Sequence, residues 1–310
     1  MRSPMTLSKA SLIVAALLAT AACTPTTETA ERADAIATVA SADVTPFKVG
    51  TLEVIALRDG GLSGLPNDNT ILGVGRTPAE VAAVLSANGL PGDSFDLSIQ
   101  PLLVRDGTRL VLIDAGAGAS MGPGAGRLPA SLRAAGVEPS AVTDVLISHS
   151  HGDHVAGLVD ASGTLTFANA TIRMSAPEWA YLQGQAEMQA LVDAIRPKVQ
   201  TFEYGAAVSP SITAVAIQGH TPGSVGYEIA SGSDRLFYIG DTMHHSVISV
   251  QRPQWRIAFD GDVPAATASR EAILERAASE NLKLYAVHFP YPGVGRIQRR
   301  GEGFVWVPEQ

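Results

Sequence analysis

Three imidazoles and one carboxylate fall within six residues in the run His149-Ser150-His151-Gly152-Asp153-His154. Packing is a poor explanation for that density. A lone histidine is ordinarily a surface residue or a satisfied core residue, but here five of the chain's seven histidines fall in one ordered series. The series continues with His220, Asp241 and His288, each next to glycine or at the end of an apolar run. Histidine and carboxylate without thiolate suit zinc, manganese, iron or cobalt. Two adjacent divalent ions need about this ligand set, and two ions sharing a water make a hydrolytic centre.

Such ligands need rigid supports. The continuous apolar run Val145-Leu146-Ile147 reads as a buried strand, and the metal motif begins just after it. Residues 284–287 read the same way and end on His288. Further strands are expected at residues 47–57, 171–174, 212–217, 227–229 and 236–239. Residues 102–104 and 110–113 should pair as a hairpin around Asp106-Gly107. Helices are expected at residues 78–88, at 128–135 with a stop at Gly136, and at 266–278 with an apolar stripe at Ile273, Leu274, Ala277 and Ala278. Strands alternating with helices in two similar halves suggest two sheets face to face with helices outside.

The order of these motifs resembles the signature of the metallo-β-lactamase superfamily, in its members with a full two-metal site. Leu110-Val111-Leu112-Ile113-Asp114-Ala115-Gly116 resembles the strand and turn before the first motif. Gly219-His220-Thr221-Pro222-Gly223 resembles the second metal loop, and Ile239-Gly240-Asp241 the turn of the bridging carboxylate. The likeness covers roughly residues 47–308. Within the superfamily it is nearest the branch of methyl parathion hydrolase and related quorum-quenching lactonases, carried by residues 114–136 and by His288-Phe289-Pro290-Tyr291-Pro292-Gly293-Val294-Gly295. This resemblance implies an α/β fold, the αββα sandwich of two mixed sheets flanked by helices.

It also implies roles. His149, His151 and His220 would hold one ion in an open, catalytic type of site. Asp153, His154 and His288 would hold the second, and Asp241 would bridge both. The two divalent ions, zinc first among the candidates, would lower the pKa of a shared water to roughly 7, so that a bridging hydroxide attacks an ester, lactone or phosphotriester. Asp153 and Asp241 are then the catalytic carboxylates. Asp114 either orients a ligand histidine or caps the turn after Ile113. Aligned with that branch, Met121, Tyr181 and Tyr291 fall near the substrate wall, or are ordinary packing. Met121 stands where the family often has an aromatic ring. His244 and His245 either face the pocket or form a surface pair. Asp260 and Asp262 are expected to cap and anchor the helix that follows, and residues 59–69 could form a lid.

Four rival functions fit parts of this pattern, of which RNA processing by a superfamily relative is disfavoured by the acidic charge and the absence of a basic patch. A β-lactamase would use cysteine or no bridge where Asp241 stands. A thioester hydrolase of the glyoxalase type shares all seven ligands but is usually intracellular. A non-catalytic metal-binding protein usually loses ligands first, and none is missing.

Composition narrows the rest. The chain has 310 residues, 46% hydrophobic and 5% aromatic, ample for one large domain. Residues 1–22 read as a signal peptide: Arg2 and Lys9, then an apolar run from Leu12 to Leu18, then small residues. Cys23, the only cysteine, follows Thr20-Ala21-Ala22, which resembles a lipoprotein cleavage site. Lipidation there would tether the protein to a membrane; ordinary cleavage near Ala22 would free it into the periplasm. Residues 23–45 read as a flexible tether and 46–310 as the hydrolase domain. Removal of the signal leaves 20 basic against 30 acidic residues, a formal −10, which argues against nucleic acid as a partner. A small-molecule substrate is expected, and the branch resemblance implies a homodimer.

Overall fold

The structure, a computed structural model, describes residues 41–309. The expected signal peptide, Cys23 and most of the tether lie outside the described residues. The first half runs β1 (Val44–Val49), β2 (Leu52–Leu57), β3 (Gly60–Pro66), β4 (Leu72–Val74), α1 (Pro78–Ser86), β5 (Ser94–Ile99), β6 (Leu102–Asp106), β7 (Arg109–Ile113), α2 (Leu128–Ala134), β8 (Asp144–Leu146), α3 (Gly152–Val155), β9 (Thr171–Ser175), α4 (Ala176–Gln183), α5 (Gln189–Ile195) and β10 (Val199–Phe202). The second half runs β11 (Ala207–Ser209), β12 (Ile212–Ala216), β13 (Val225–Ser231), β14 (Asp234–Tyr238), α6 (Ile248–Gln251), β15 (Arg256–Ile257), α7 (Val263–Glu280), β16 (Lys283–Tyr285), β17 (Val294–Arg300) and β18 (Gly303–Pro308). No described helix is long and apolar enough to cross a membrane.

Two seven-stranded mixed sheets result, ordered β1-β2-β6-β7-β8-β9-β10 and β11-β12-β13-β14-β16-β17-β18. Side chains alternate across a strand, so each strand feeds two layers. Val111 and Ile113 of β7 and Leu146 of β8 join Leu236, Tyr238 and Tyr285 of the second sheet in a shared inner core. Leu112 and Val145 turn outward onto α2, α4 and α5. Phe237 and Leu284 turn outward onto Ile273, Leu274 and Ala277 of α7. This is the αββα sandwich, and it explains why its central strands read as unbroken apolar runs.

Several boundaries differ from expectation. Residues 47–57 are not one strand but the hairpin β1–β2, because Gly50 takes a left-handed φ of +55° and reverses the chain. β1 starts at Val44, two residues inside the stretch read as tether. Residues 59–69 are not a loose loop: β3 pairs antiparallel with β5. α7 is longer than its apolar stripe, because Asp262 caps it through the Ala265 N–H and Asn281 ends it in a left-handed turn.

Strands β7 and β8 run parallel, as do β14 and β16, and the antiparallel pairs β12–β13 and β13–β14 give β12 the same direction as β14. Residues 114 and 148–154 therefore follow the C-terminal ends of co-directional strands in the first sheet, and residues 219–224, 241 and 288 those of co-directional strands in the second. The loops meet at one edge of the sandwich.

Candidate metal centre

The seven side chains converge into two clusters that share one carboxylate: His149, His151, His220 and Asp241, then Asp153, His154, Asp241 and His288. In the first, His149 Nε2 lies 3.1 Å and His220 Nε2 2.9 Å from His151 Nδ1, and both lie within 3.5 Å of Asp241 Oδ2. In the second, His154 Nε2 is 3.4 Å from Asp153 Oδ2 and 3.2 Å from Asp241 Oδ1, and His288 Nε2 is 3.0 Å from Asp241 Oδ2. A tetrahedral ion with ligands at about 2.0–2.1 Å has edges of about 3.3 Å, so these spacings fit a cation at the centre of each cluster. His154 Nε2 and Asp241 Oδ1 are buried without any protein hydrogen-bond partner, which also fits ligand atoms.

The far edges of the rings are fixed. His154 Nδ1 meets Asp114 Oδ2 at 2.7 Å, His220 Nδ1 meets Asp260 Oδ1 at 3.1 Å, and His288 Nδ1 meets the Ser98 carbonyl at 2.7 Å. Each of these partners only accepts, so each Nδ1 carries a proton and Nε2 is the nitrogen turned inward. Asp114, in a left-handed turn at φ +61°, also accepts from Ser148 N–H, Ser148 Oγ and Tyr238 OH, each at 2.7 Å. Replacing Asp114 with Ala frees the His154 ring and leaves buried donors unmet. Zinc affinity, measured by chelator competition, should fall about 10–100-fold; an unchanged affinity would reduce Asp114 to a turn residue.

Sequence reasoning missed two supports. Glu178, fully buried at the start of α4, accepts from Ser150 N–H and Oγ at 2.7 and 2.6 Å, and from Thr221 Oγ1 and Gly223 N–H at 2.7 and 2.9 Å. One carboxylate thus ties the loop of His149 and His151 to the loop of His220. Asp260, expected only to anchor a helix, orients His220 and is held by Arg270 Nη2 at 2.7 Å. No local pattern separates these carboxylates from surface acids; only their burial does. The Gly219-His220-Thr221-Pro222-Gly223 motif is explained by close approach. A Cβ on Gly219, at φ +111°, would sit 2.0 Å from the Ala266 nitrogen, and one on Gly223 would sit 2.1 Å from that of Glu178.

Electrostatics follow from burial and the shared carboxylates. Burial alone would push His154 down, but Asp241, Asp153 and Asp114 outweigh it and hold the ring well above its usual value. His220 is likewise lifted, against burial, to about 9 by Asp241 and Asp260. Burial pushes His151 down to about 4, aided by His220. Burial would raise Asp241, but the surrounding imidazoles, His154 first, hold it well below the carboxylate range. The negative field that draws protons onto His154 and His220 equally favours divalent cations.

A cavity of about 250 Å³ opens onto the clusters. Leu62, Leu97, Ile99, Met121 and Phe259 line it together with His151, Asp153, Asp241 and His288. A larger groove of about 720 Å³ near Gly118 and Asp160 contains none of the seven ligand residues. Of the pocket residues expected from sequence, Met121 and His244 line the cavity. Tyr181 does not: it is half-buried on α4, in the outer helical layer. Nor does Tyr291, whose hydroxyl donates to the Ala56 carbonyl at 3.0 Å while Arg58 covers its ring at 4.5 Å. His244 and His245 are not a surface pair. Both are buried, and His245 Nδ1 accepts from the N–H groups of Val247 and Ile248 at the start of α6.

The sequence pattern of the metallo-beta-lactamase superfamily matches residues 96–288, which include all seven ligand positions. The chain belongs to that superfamily. Among solved metallo-β-lactamase folds it is similar to AidC, a dizinc quorum-quenching lactonase solved with a product N-hexanoyl-L-homoserine: 29% identity, TM-score 0.82, over 86% of this chain and 97% of that one. It is also similar to the hydrolase AbOPH of the beta lactamase superfamily, at 25% identity and TM-score 0.79 over 88% and 99%. A probable metal-dependent hydrolase from Staphylococcus aureus shares the fold at 20% identity and TM-score 0.69, over 85% and 99%. A search of curated proteins found no match.

Proposed function

We propose that this protein is a two-metal hydrolase that opens a lactone or cleaves another ester or phosphotriester. The observation that carries the reading is the pair of ligand clusters sharing Asp241 at a cavity that is otherwise lined largely by apolar side chains. Two bound divalent ions, zinc first, would supply a nucleophile from water at neutral pH and polarise the acyl or phosphoryl oxygen. The chain's own residues do the rest. His149, His151 and His220 hold one position and Asp153, His154 and His288 the other. Met121, Phe259 and Leu62 exclude water and receive the substrate's apolar group. At about 250 Å³ the cavity suits a small ester. The likeness to a dizinc lactonase at 29% identity supports a lactone substrate. Export, read from residues 1–22, would place the activity in the cell envelope.

The test is elemental analysis of the purified protein together with turnover of an acyl-homoserine lactone, a phosphotriester and a β-lactam. Two transition-metal ions per chain and hydrolysis of the lactone or phosphotriester are expected. Removing the ions with a chelator should abolish the rate, and zinc should restore it. A protein that binds both ions yet hydrolyses none of these, or only the β-lactam, contradicts the reading.

A further inference from the structure

Asp59, between β2 and β3, is a carboxylate fully buried from solvent. Such a group is costly unless donors meet its oxygens. Here the donors are backbone N–H groups of one glycine-rich segment. Oδ2 accepts from Ala117 at 3.0 Å and from Gly126 at 3.1 Å, and Oδ1 accepts from Leu128 at 2.8 Å. One oxygen therefore clamps both ends of the stretch 117–126, which forms an Ω-loop. The Asp59 carbonyl adds a fourth bond, accepting from Arg127 N–H at 2.9 Å. The fit leaves no slack. A Cβ on Gly126, at φ +87°, would lie 2.2 Å from the Gly118 carbonyl oxygen, and one on Gly116 would lie 2.7 Å from the Asp59 carboxyl carbon. Between the clamped ends, the hydrogen bonds among the described residues are local: Ser120 N–H and Oγ donate to the Ala117 carbonyl, and Ala125 N–H to that of Gly122. Met121 stands in the middle of this loop and lines the cavity beside His151 and Asp153.

We propose that Asp59 is a positioning residue that sets substrate selectivity by fixing Met121 in the cavity wall. The inference rests on the hydrolase reading given above, in which Met121 receives the substrate's apolar group. Asp59 is in neither ligand cluster and does not line the cavity, so it acts only through the loop. A wall residue on a slack loop must be ordered each time substrate binds, and that ordering subtracts from affinity. A loop closed beforehand by charge-assisted hydrogen bonds has met that cost in folding. The link from this segment to the metal turn, Ala115 N–H to the His154 carbonyl at 2.8 Å, lies before the clamped stretch. The clamp therefore governs apolar recognition and leaves the metal positions alone.

The experiment uses the zinc-loaded full chain and two lactones, or two phosphotriesters if it turns those over, alike at the reacting group, one bearing a hexyl chain and the other a methyl group. Asp59→Asn keeps the shape of the side chain but turns an NH₂ towards an N–H donor. This variant should keep two zinc ions and near-normal kcat on both substrates. KM for the hexyl substrate should rise about 10-fold, while KM for the methyl substrate stays put. Met121→Ala should show the same split, and the double variant should lose no more than Met121→Ala alone, since Asp59 acts through that side chain. Gly126→Ala, which forces the loop ends apart without touching Asp59, should reproduce the split and decides the matter if Asp59→Asn does not fold. As a readout independent of turnover, the Ala117, Gly126 and Leu128 amides of the wild type should resist hydrogen exchange, although none has a partner in a helix or strand, and Asp59→Asn should release them. Unchanged selectivity, equal losses on both substrates, additive losses in the double variant, or unprotected wild-type amides would each overturn the proposal. An active wild type with any of those results refutes Asp59 alone. A wild type inert on every substrate refutes the hydrolase reading, and this inference with it.

Discussion

Replacing Asp241 with Ala is expected to empty both metal positions and lower kcat/KM by more than about 100-fold, the upper end of what losing a partner that merely orients a ligand costs. The reason is geometric. Oδ1 lies 3.2 Å from His154 Nε2, and Oδ2 lies within 3.5 Å of His149, His220 and His288. One side chain therefore belongs to both clusters, and its charge is the main anionic counterweight to five imidazoles. Without it the two cations would repel each other uncompensated, and the rings lose the frame that sets their spacing. Asp241→Asn separates charge from shape: the amide keeps one oxygen in place, so it should retain one ion more readily than Ala and still lack most of the activity. Elemental analysis and steady-state rates on the same samples decide the matter. Near-normal turnover with two ions bound would remove Asp241 from the centre.

Glu178→Ala should have the largest effect on stability. The substitution strands four buried donor groups, Ser150 N–H, Ser150 Oγ, Thr221 Oγ1 and Gly223 N–H, at a site where the close approach of Gly223 leaves little room for repair. Unmet buried donors cost roughly 1–3 kcal/mol each, and water entry recovers part, so a loss of about 3–5 kcal/mol is expected. In a domain of this size that lowers Tm by about 10 °C. Zinc affinity should fall with it, since the freed loops carry His149, His151 and His220. Glu178→Gln is not a neutral control: its NH₂ must face a donor on one side, so it should also destabilise, by less than Ala. Calorimetric melting with and without zinc checks both, and a wild-type Tm in the Ala variant would show that the two loops hold themselves.

The metal ligands were legible because their chemistry is local. Four fall in a six-residue run, and His220, Asp241 and His288 stand at the ends of apolar strands or in glycine turns that leave few other readings. The family and the sandwich follow from those motifs and from runs such as Val111-Leu112-Ile113, whose alternate residues feed two cores. Non-local positions were not legible. Tyr181 reads as a pocket aromatic until α4 is placed on the outer layer, and Tyr291 until its hydroxyl is seen donating to Ala56. Glu178 and Asp260 look like surface acids in the sequence, yet folding buries them against loops 43 and 40 residues away.

The amino-acid order by itself thus determined which side chains could bind metal and the class of fold that presents them, since spacing and hydropathic period are properties of the chain. Only the tertiary structure decided that Glu178 and Asp260 hold the ligand loops in place, and that Leu62, Met121, Phe259 and His244 line the same cavity. Those are statements about distance between segments far apart in sequence, and distance is fixed only when the two sheets close on their common core.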